Sequence, residues 1–210
     1  GLAVLTPEQR RRGVVLIDLG GGTTNYLAYG NGVVSALGCV AVGGDHITND
    51  IALAFTIPLN RAEELKCAEG CALIEPESGT RRITLSADIG FEERVLSCKA
   101  LHTVIHARMD ETFRIVRSKL DEGGVLPHLG AGVILTGGGA YLRKATDLAQ
   151  RIFGLPCGIG LPVNVSGLDN VPQAAALSTA AGLVLYGRMT YEDRGILSPL
   201  KNLFKGVFRR

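Results

Sequence analysis

Residues 14–25 read Val-Val-Leu-Ile-Asp-Leu-Gly-Gly-Gly-Thr-Thr-Asn, and the fold turns on how they are read. Val14–Leu19 is an apolar run with one carboxylate near its end, the pattern of a strand buried on both faces. Gly20, Gly21 and Gly22 then turn the chain. Thr23–Tyr29 again has strand composition, and Gly30-Asn31-Gly32 signals a hairpin before a third strand over Val33–Val42. The glycine loop thus joins a strand to a strand. A P-loop or a dinucleotide fingerprint joins a strand to a helix, and no Lys follows these glycines, so neither motif fits.

The loop has its own chemistry. Three adjacent glycines let the backbone approach an oxyanion closely and turn several N–H groups toward it. Thr23 and Thr24 add hydroxyl donors, and Asp18 at the strand end could hold Mg²⁺ through water. The competing reading is a hairpin with an ordinary tight turn.

Downstream, Gly43-Gly44 end the third strand and Asp45 is expected to cap a helix running to about Phe55. A second helix is expected over Arg61–Cys71, then a polar turn at Glu75–Gly79 and a short strand at Arg81–Ser86. Glu92–Leu120 reads as one long helix with Leu101, Ile105, Thr112, Val116 and Leu120 on a stripe. Val133–Thr136 is a second buried strand, followed by Gly137-Gly138-Gly139 and a helix from about Leu142 to Phe153. The Gly154–Gly167 loop is expected to hold a short strand. Gln173–Tyr186, uncharged and Ala-rich, is expected to be a helix buried nearly all round. Two nested parts follow: 1–43 with 131–190, and an inserted 44–130.

Composition agrees with an α/β protein with working loops. Of 210 residues, 46% are apolar, 20% charged and 28 are Gly, which excludes a disordered chain. A net charge of +2 gives no electrostatic argument for nucleic acid, and no nucleic-acid partner is expected. Five cysteines without paired spacing point to a reducing compartment. Gly1–Arg12 lack the apolar stretch of a signal peptide, and no uncharged run reads as a transmembrane helix.

The second glycine loop, Thr136-Gly137-Gly138-Gly139-Ala140, leaves a buried strand and is expected to open a helix, where bare backbone suits a phosphate or a flat purine. Leu142 stands where a dinucleotide fingerprint needs its third Gly. The alternative is close strand–helix packing.

Taken in order, Asp18–Thr24, Val42–Ala52 (VGGDHITNDIA), Ala62–Lys66 (AEELK) and Val133–Leu142 (VILTGGGAYL) leading to Asp147–Pro156 (DLAQRIFGLP) resemble the C-terminal half of an actin-like ATPase, within it the FtsA family of bacterial cell-division proteins. The resemblance covers nearly the whole chain. It implies an actin-like, ribonuclease H-like α/β fold with a nested smaller subdomain. It also implies ATP and Mg²⁺ as ligands. Gly20, Gly21, Gly22, Thr23 and Thr24 would face the β- and γ-phosphates, and Asp18 would reach the metal's water shell. Gly43 and Gly44 would lie beside the nucleotide, Glu63 and Lys66 would bracket ribose and adenine, and Gly137, Gly138 and Gly139 would pack against the adenosine. For Glu63 and Lys66 the alternative is a solvated ion pair. Asn25 departs from the Asp common in the family. The family's first phosphate loop lies upstream, so a C-terminal half with little or no ATPase activity alone is expected.

The chain's last residues carry a separate signal. Ser198-Pro199 can start a helix in which Leu200, Leu203, Phe204, Val207 and Phe208 form an apolar stripe. Lys201, Lys205, Arg209 and Arg210 are the only charges after Arg194. Such a helix suits the interface of an anionic membrane and is too short to cross it. The alternative is docking on the body. Residues 191–210 are thus expected to be a linker and a membrane-targeting helix.

His102/His106 and Cys67/Cys71 have the i, i+4 spacing of metal ligands, but no third ligand is apparent, and both pairs read as structural or solvated. The resemblance further implies that the helix around Ile105–Leu120 receives the C-terminal tail of FtsZ, with Arg108 suited to an acidic peptide. The expected function is an adaptor tethering FtsZ filaments to the cytoplasmic face of the membrane at the division site, self-associating into filaments with ATP as assembly ligand. Half of another actin-like ATPase (a pilus-assembly scaffold, a chaperone-type ATPase or a sugar kinase) is the alternative.

Overall fold

In a computed structural model, which describes residues 1–87, 91–163, 165–168 and 171–193, Thr6 caps a short helix α1 (Pro7–Arg12). The Gln9 N–H donates to the Thr6 hydroxyl at 3.2 Å and the Thr6 N–H to Gln9 Oε1 at 2.9 Å, a reciprocal capping box. Strand β1 (Val14–Leu19) follows, with β2 (Thr24–Gly30) antiparallel to it and β3 (Val33–Val40) antiparallel to β2. Asn31 and Gly32 between β2 and β3 take φ of 53° and 84°, the left-handed values a two-residue hairpin of this hand requires.

Helices α2 (Gly44–Phe55) and α3 (Leu59–Glu69) come next. The residue that caps α2 is Gly43 rather than Asp45: its N–H donates to His46 Nδ1 at 3.2 Å, and Asp45 sits inside the first turn. Strands β4 (Arg82–Leu85) and β5 (Arg94–Ser97) pair antiparallel as a separate ribbon. The long helix α4 therefore spans Cys98–Glu122, starting six residues later than Glu92. Arg94–Ser97 are taken by β4, whose edge needs a partner, and Ser97 Oγ accepts the Ala100 N–H as the cap. The stripe along α4 is as the periodicity predicts: Leu101, Ile105, Thr112, Val116 and Leu120 are all buried.

β6 (Val133–Thr136) runs parallel to β1 with Thr136 opposite Asp18, and β7 (Cys157–Ile159) parallel to β6, completing the sheet order β3-β2-β1-β6-β7. α5 (Ala145–Phe153) lies between them. Gly138–Tyr141 form a 3₁₀ turn, so the second glycine loop does not open directly onto an α-helix as expected. Val15, Ile17 and Leu19 face the core built by α2–α5, where Phe113 meets Phe153 edge-to-face at 6.2 Å. Val14 and Leu16 face the other way, toward Ala3–Leu5 and Ala181.

The last helix, α6 (Ser178–Asp193), corrects the expectation of an all-round buried element. Ala175, Ser178 and Ala181 are buried, but Leu183, Val184 and Tyr186 are 66, 66 and 61% exposed. On this side the described chain offers little more than Ala3–Leu5 and the sheet itself to pack against.

Candidate functional site

The first glycine loop and the start of α2 are stitched backbone to backbone. Gly20 donates to the Thr23 carbonyl at 3.0 Å, and the Gly20 and Gly21 carbonyls accept the N–H groups of Gly44 and Asp45, both at 2.9 Å. A Cβ on Gly43 would stand 2.3 Å from the Gly21 oxygen and 2.6 Å from that of Gly20, so this approach requires glycine. Gly21, Gly22 and Thr23 are exposed, and their N–H groups make no hydrogen bond among the described residues. Beside Gly22 there is open space. Thr24 is a different case: it is fully buried and its hydroxyl donates to the Val42 carbonyl at 2.8 Å, pinning β2 to the chain after β3.

Lys66 extends this assembly. Its Nζ donates to the Gly44 carbonyl at 3.0 Å, to Thr48 Oγ1 at 2.8 Å and lies 2.7 Å from Glu63 Oε2. Thr48 Oγ1 also contacts the Glu63 carboxylate and the Gly44 carbonyl. Burial works against charge on Glu63, but hydrogen bonds from Lys66 and Thr48 prevail and hold its carboxyl below the usual range. Lys66 is largely buried and Glu63 half exposed, and with Thr48 they form a network tying α3 to the start of α2. Thr48 escaped the sequence reading, although it lies one helical turn after Gly44.

The second glycine loop leans on the end of β1. Gly137 has φ 84°, and a Cβ there would fall 2.4 Å from Asp18 Oδ1. One on Gly139 would fall 2.8 Å from Leu19 Cβ. Close packing accounts for these two glycines, while Gly138 faces open space. Asp18 lies on the sheet face of Leu16, beside a 220 Å³ cavity also lined by Thr136, Ser178 and Leu183. Its Oδ2 accepts the Thr179 hydroxyl at 2.7 Å. The structure thus gathers Gly20–Thr23, Gly43–Gly44 and Glu63–Lys66 at one end of β1, with Gly137–Gly139 adjoining. The Asp18 carboxylate turns to the opposite face. Thr179 went unnoticed in the sequence because it is brought to Asp18 only by the return of α6.

Arg108 is not a free cation. Its Nε lies 2.6 Å from Asp50 Oδ2, its Nη2 3.0 Å from Oδ1, and its Nη1 2.6 Å from Glu111 Oε2. The Asp50 contacts join α4 to α2, the Glu111 contact stays within α4, and together, with the hydrogen bond to Asp50 foremost, they raise the guanidinium pKa further. The membrane-helix residues Leu200, Lys201, Leu203, Phe204, Lys205, Val207 and Phe208 lie outside the described residues. Among the described residues no helix is long and apolar enough to cross a membrane.

Comparison with known proteins fits this geometry. The sequence profile described as "Cell division protein FtsA" matches residues 15–182. The protein of that name from Pseudomonas aeruginosa is 36% identical over 191 residues, covering 91% of this chain and 46% of its own length. That from Escherichia coli K12 is 35% identical over 196 residues, covering 90% and 47%. The chain spans about half the length of these curated relatives. Among solved structures, MreB5 of Spiroplasma citri bound to ADP superposes with a TM-score of 0.66 at 19% identity, covering 89% of this chain and 56% of the other. The α/β architecture is thus that of the actin-like ATPases. On profile, identity and coverage together, the chain belongs to the FtsA family of cell-division proteins.

Proposed function

We propose that this chain forms one wall of an ATP site in a cell-division adaptor that tethers FtsZ filaments to the cytoplasmic face of the membrane at the division site. One observation carries the nucleotide part: the backbone N–H groups of three exposed residues, Gly21, Gly22 and Thr23, have no partner among the described residues at the end of the central strand. Backbone donors converging at such a turn suit a phosphate oxyanion. Gly43–Gly44 and Glu63–Lys66 stand on one side of this cradle and open space beside Gly138 on the other, so the residues present fit a nucleotide. Bound there with Mg²⁺, the nucleotide supplies the negative charge that these donors meet; for Asp18 to reach a water of the metal shell, its carboxylate would have to leave Thr179 and turn from the opposite sheet face.

One wall clamps phosphates weakly, so the nucleotide serves as an assembly ligand and not as fuel for these residues alone. Residues 44–130 form the inserted subdomain in this reading. Self-association into filaments belongs to the same proposal, and it is supported by the likeness to actin-like proteins, one of which, MamK, is described as a double helical filament.

Titrating the chain against a fluorescent ATP analogue with Mg²⁺ tests the cradle by anisotropy. Saturable binding weakened about tenfold by Gly22→Val, a loss of about 1.4 kcal/mol, is the expected result. Equal binding by both proteins would remove the loop from the site.

A further inference from the structure

The two i, i+4 pairs singled out by spacing are both broken up in the fold. Cys67 Sγ turns to Glu63 Oε1 at 3.4 Å, and His106 Nδ1 pairs with the Ala72 carbonyl at 2.8 Å. Their partners Cys71 and His102 are left together, 0% and 1% exposed, where the chain leaving α3 passes the second turn of α4. Glu75, half-buried, completes the group: the Cys71 sulfur, a His102 ring nitrogen and a Glu75 carboxylate oxygen all lie within 4.8 Å of one another.

The tautomer of His102 follows from its hydrogen-bond geometry. Its Nε2 lies 3.4 Å from the Cys98 sulfur and 3.1 Å from the Glu69 carbonyl, and since the carbonyl can only accept, Nε2 is the donor. The neutral ring then has its lone pair on Nδ1. That atom is fully buried and has no hydrogen-bond partner among the described residues. A backbone carbonyl fixing one ring nitrogen while the other presents a bare lone pair is the arrangement by which proteins orient a metal-binding histidine. An orphaned buried acceptor otherwise costs stability without return.

We propose that Cys71, Glu75 and His102 Nδ1 form a site for a divalent transition metal of the zinc class. One sulfur, one nitrogen and one oxygen donor suit such a metal better than Mg²⁺ or Ca²⁺, which take oxygen ligands. With bonds of about 2.0–2.3 Å, tetrahedral ligands stand roughly 3.5 Å apart, so the group closes by about 1 Å on binding. On binding, Cys71 gives up its thiol proton to solvent and forms the sulfur–metal bond, and water fills the remaining position. The charges of the thiolate and the Glu75 carboxylate then balance the ion, while Arg143 stays paired with Glu75. The metal would staple the 71–79 segment to the start of α4. This inference is independent of the nucleotide reading.

Co²⁺, titrated into the whole reduced chain, tests it directly. The expected result is one ion per chain with a thiolate-to-cobalt charge-transfer band, competed away by Zn²⁺. Cys71→Ser abolishes the band, Glu75→Gln weakens binding about tenfold or more, and Cys67→Ser and His106→Gln leave it intact. His102→Gln should also abolish it; if circular dichroism shows that this buried variant unfolds, Cys71→Ser and Glu75→Gln decide alone. A folded wild-type chain without the band overturns the site, as does a band that survives Cys71→Ser or disappears with Cys67→Ser.

Discussion

Lys66 reaches 3.0 Å to the carbonyl of Gly44, the same residue whose N–H lies 2.9 Å from the carbonyl of Gly20. One glycine thus relays between a lysine on α3 and the loop that ends β1. Neither side chain nor loop can shift alone, because they hold the two peptide units that flank a single Cα. A ligand drawn to the exposed N–H groups of Gly21–Thr23 would therefore be felt at α3 through backbone hydrogen bonds. A ligand at those N–H groups would thereby have a physical route to the surface of α3.

The charged end of that relay titrates. The Glu63 carboxyl lies below the usual carboxylate range in the folded chain, so its contribution is full above the ordinary value and is lost as pH falls through the depressed one. Glu63→Gln should thus be less stable than wild type at pH 7, with the gap closing below about pH 4. Half-exposure and solvent screening limit the gap to under about 1 kcal/mol. Urea denaturation of both proteins at pH 7 and pH 3 measures it; an equal gap at the two pH values would show that the network is not held by charge.

The two glycine-loop contacts make opposite predictions at neighbouring positions. Gly43 has φ −154°, open to any residue, so Gly43→Ala is penalised only by collision with the carbonyls of Gly20 and Gly21. Backbone atoms cannot step aside as a flexible side chain can, and a loss of about 1–3 kcal/mol is expected. Gly22→Ala meets nothing within 4 Å and should leave thermal stability nearly unchanged. Similar melting temperatures for the two variants would mean that the loop and α2 are not packed as found.

What was legible in the sequence was local. The apolar run of β1, the hairpin at Asn31-Gly32 and the buried stripe of α4 each carry their signal within a few residues, and each stands where the pattern puts it. The capping box Thr6-Pro7-Glu8-Gln9 was equally legible and went unread. What failed depended on distant partners. Arg94–Ser97 look helical until β4 recruits them, and α6 looks buried until it proves to have few neighbours. At the site, the glycines announce themselves, because few other residues allow such close approach. Thr48, Thr179 and Asp50 do not, since an ordinary hydroxyl or carboxylate gains its role only from what the fold sets opposite it.

Asp50 sharpens the test of the FtsZ-tail reading. Arg108 already holds two carboxylates, so an acidic peptide docking there must compete with Asp50. If Arg108 receives the peptide, Asp50→Asn should tighten binding several-fold by releasing the guanidinium, and Arg108→Glu should abolish it. The same Asp50→Asn change should lower stability by about 1 kcal/mol, as a partly exposed bidentate pair is lost. Anisotropy of a labelled FtsZ C-terminal peptide reads the first effect and urea denaturation the second. Weaker binding by folded Asp50→Asn would make Arg108 a staple between α2 and α4 and move the peptide elsewhere.

The membrane part of the proposed adaptor rests on residues 191–210 and can be tested separately for charge and apolar contributions. Each Lys or Arg near an anionic bilayer contributes about 1 kcal/mol, so Lys201→Gln with Lys205→Gln should weaken binding to phosphatidylserine-containing vesicles about thirtyfold. The loss should shrink at high salt, where screening has already removed most of that attraction. Phe204→Ser with Phe208→Ser keeps every charge and breaks the stripe, so it should abolish partitioning at all salt concentrations. Co-sedimentation with vesicles measures both variants. A docked helix would give the reverse pattern: vesicle binding absent in wild type, and the serine pair lowering the melting temperature of the body.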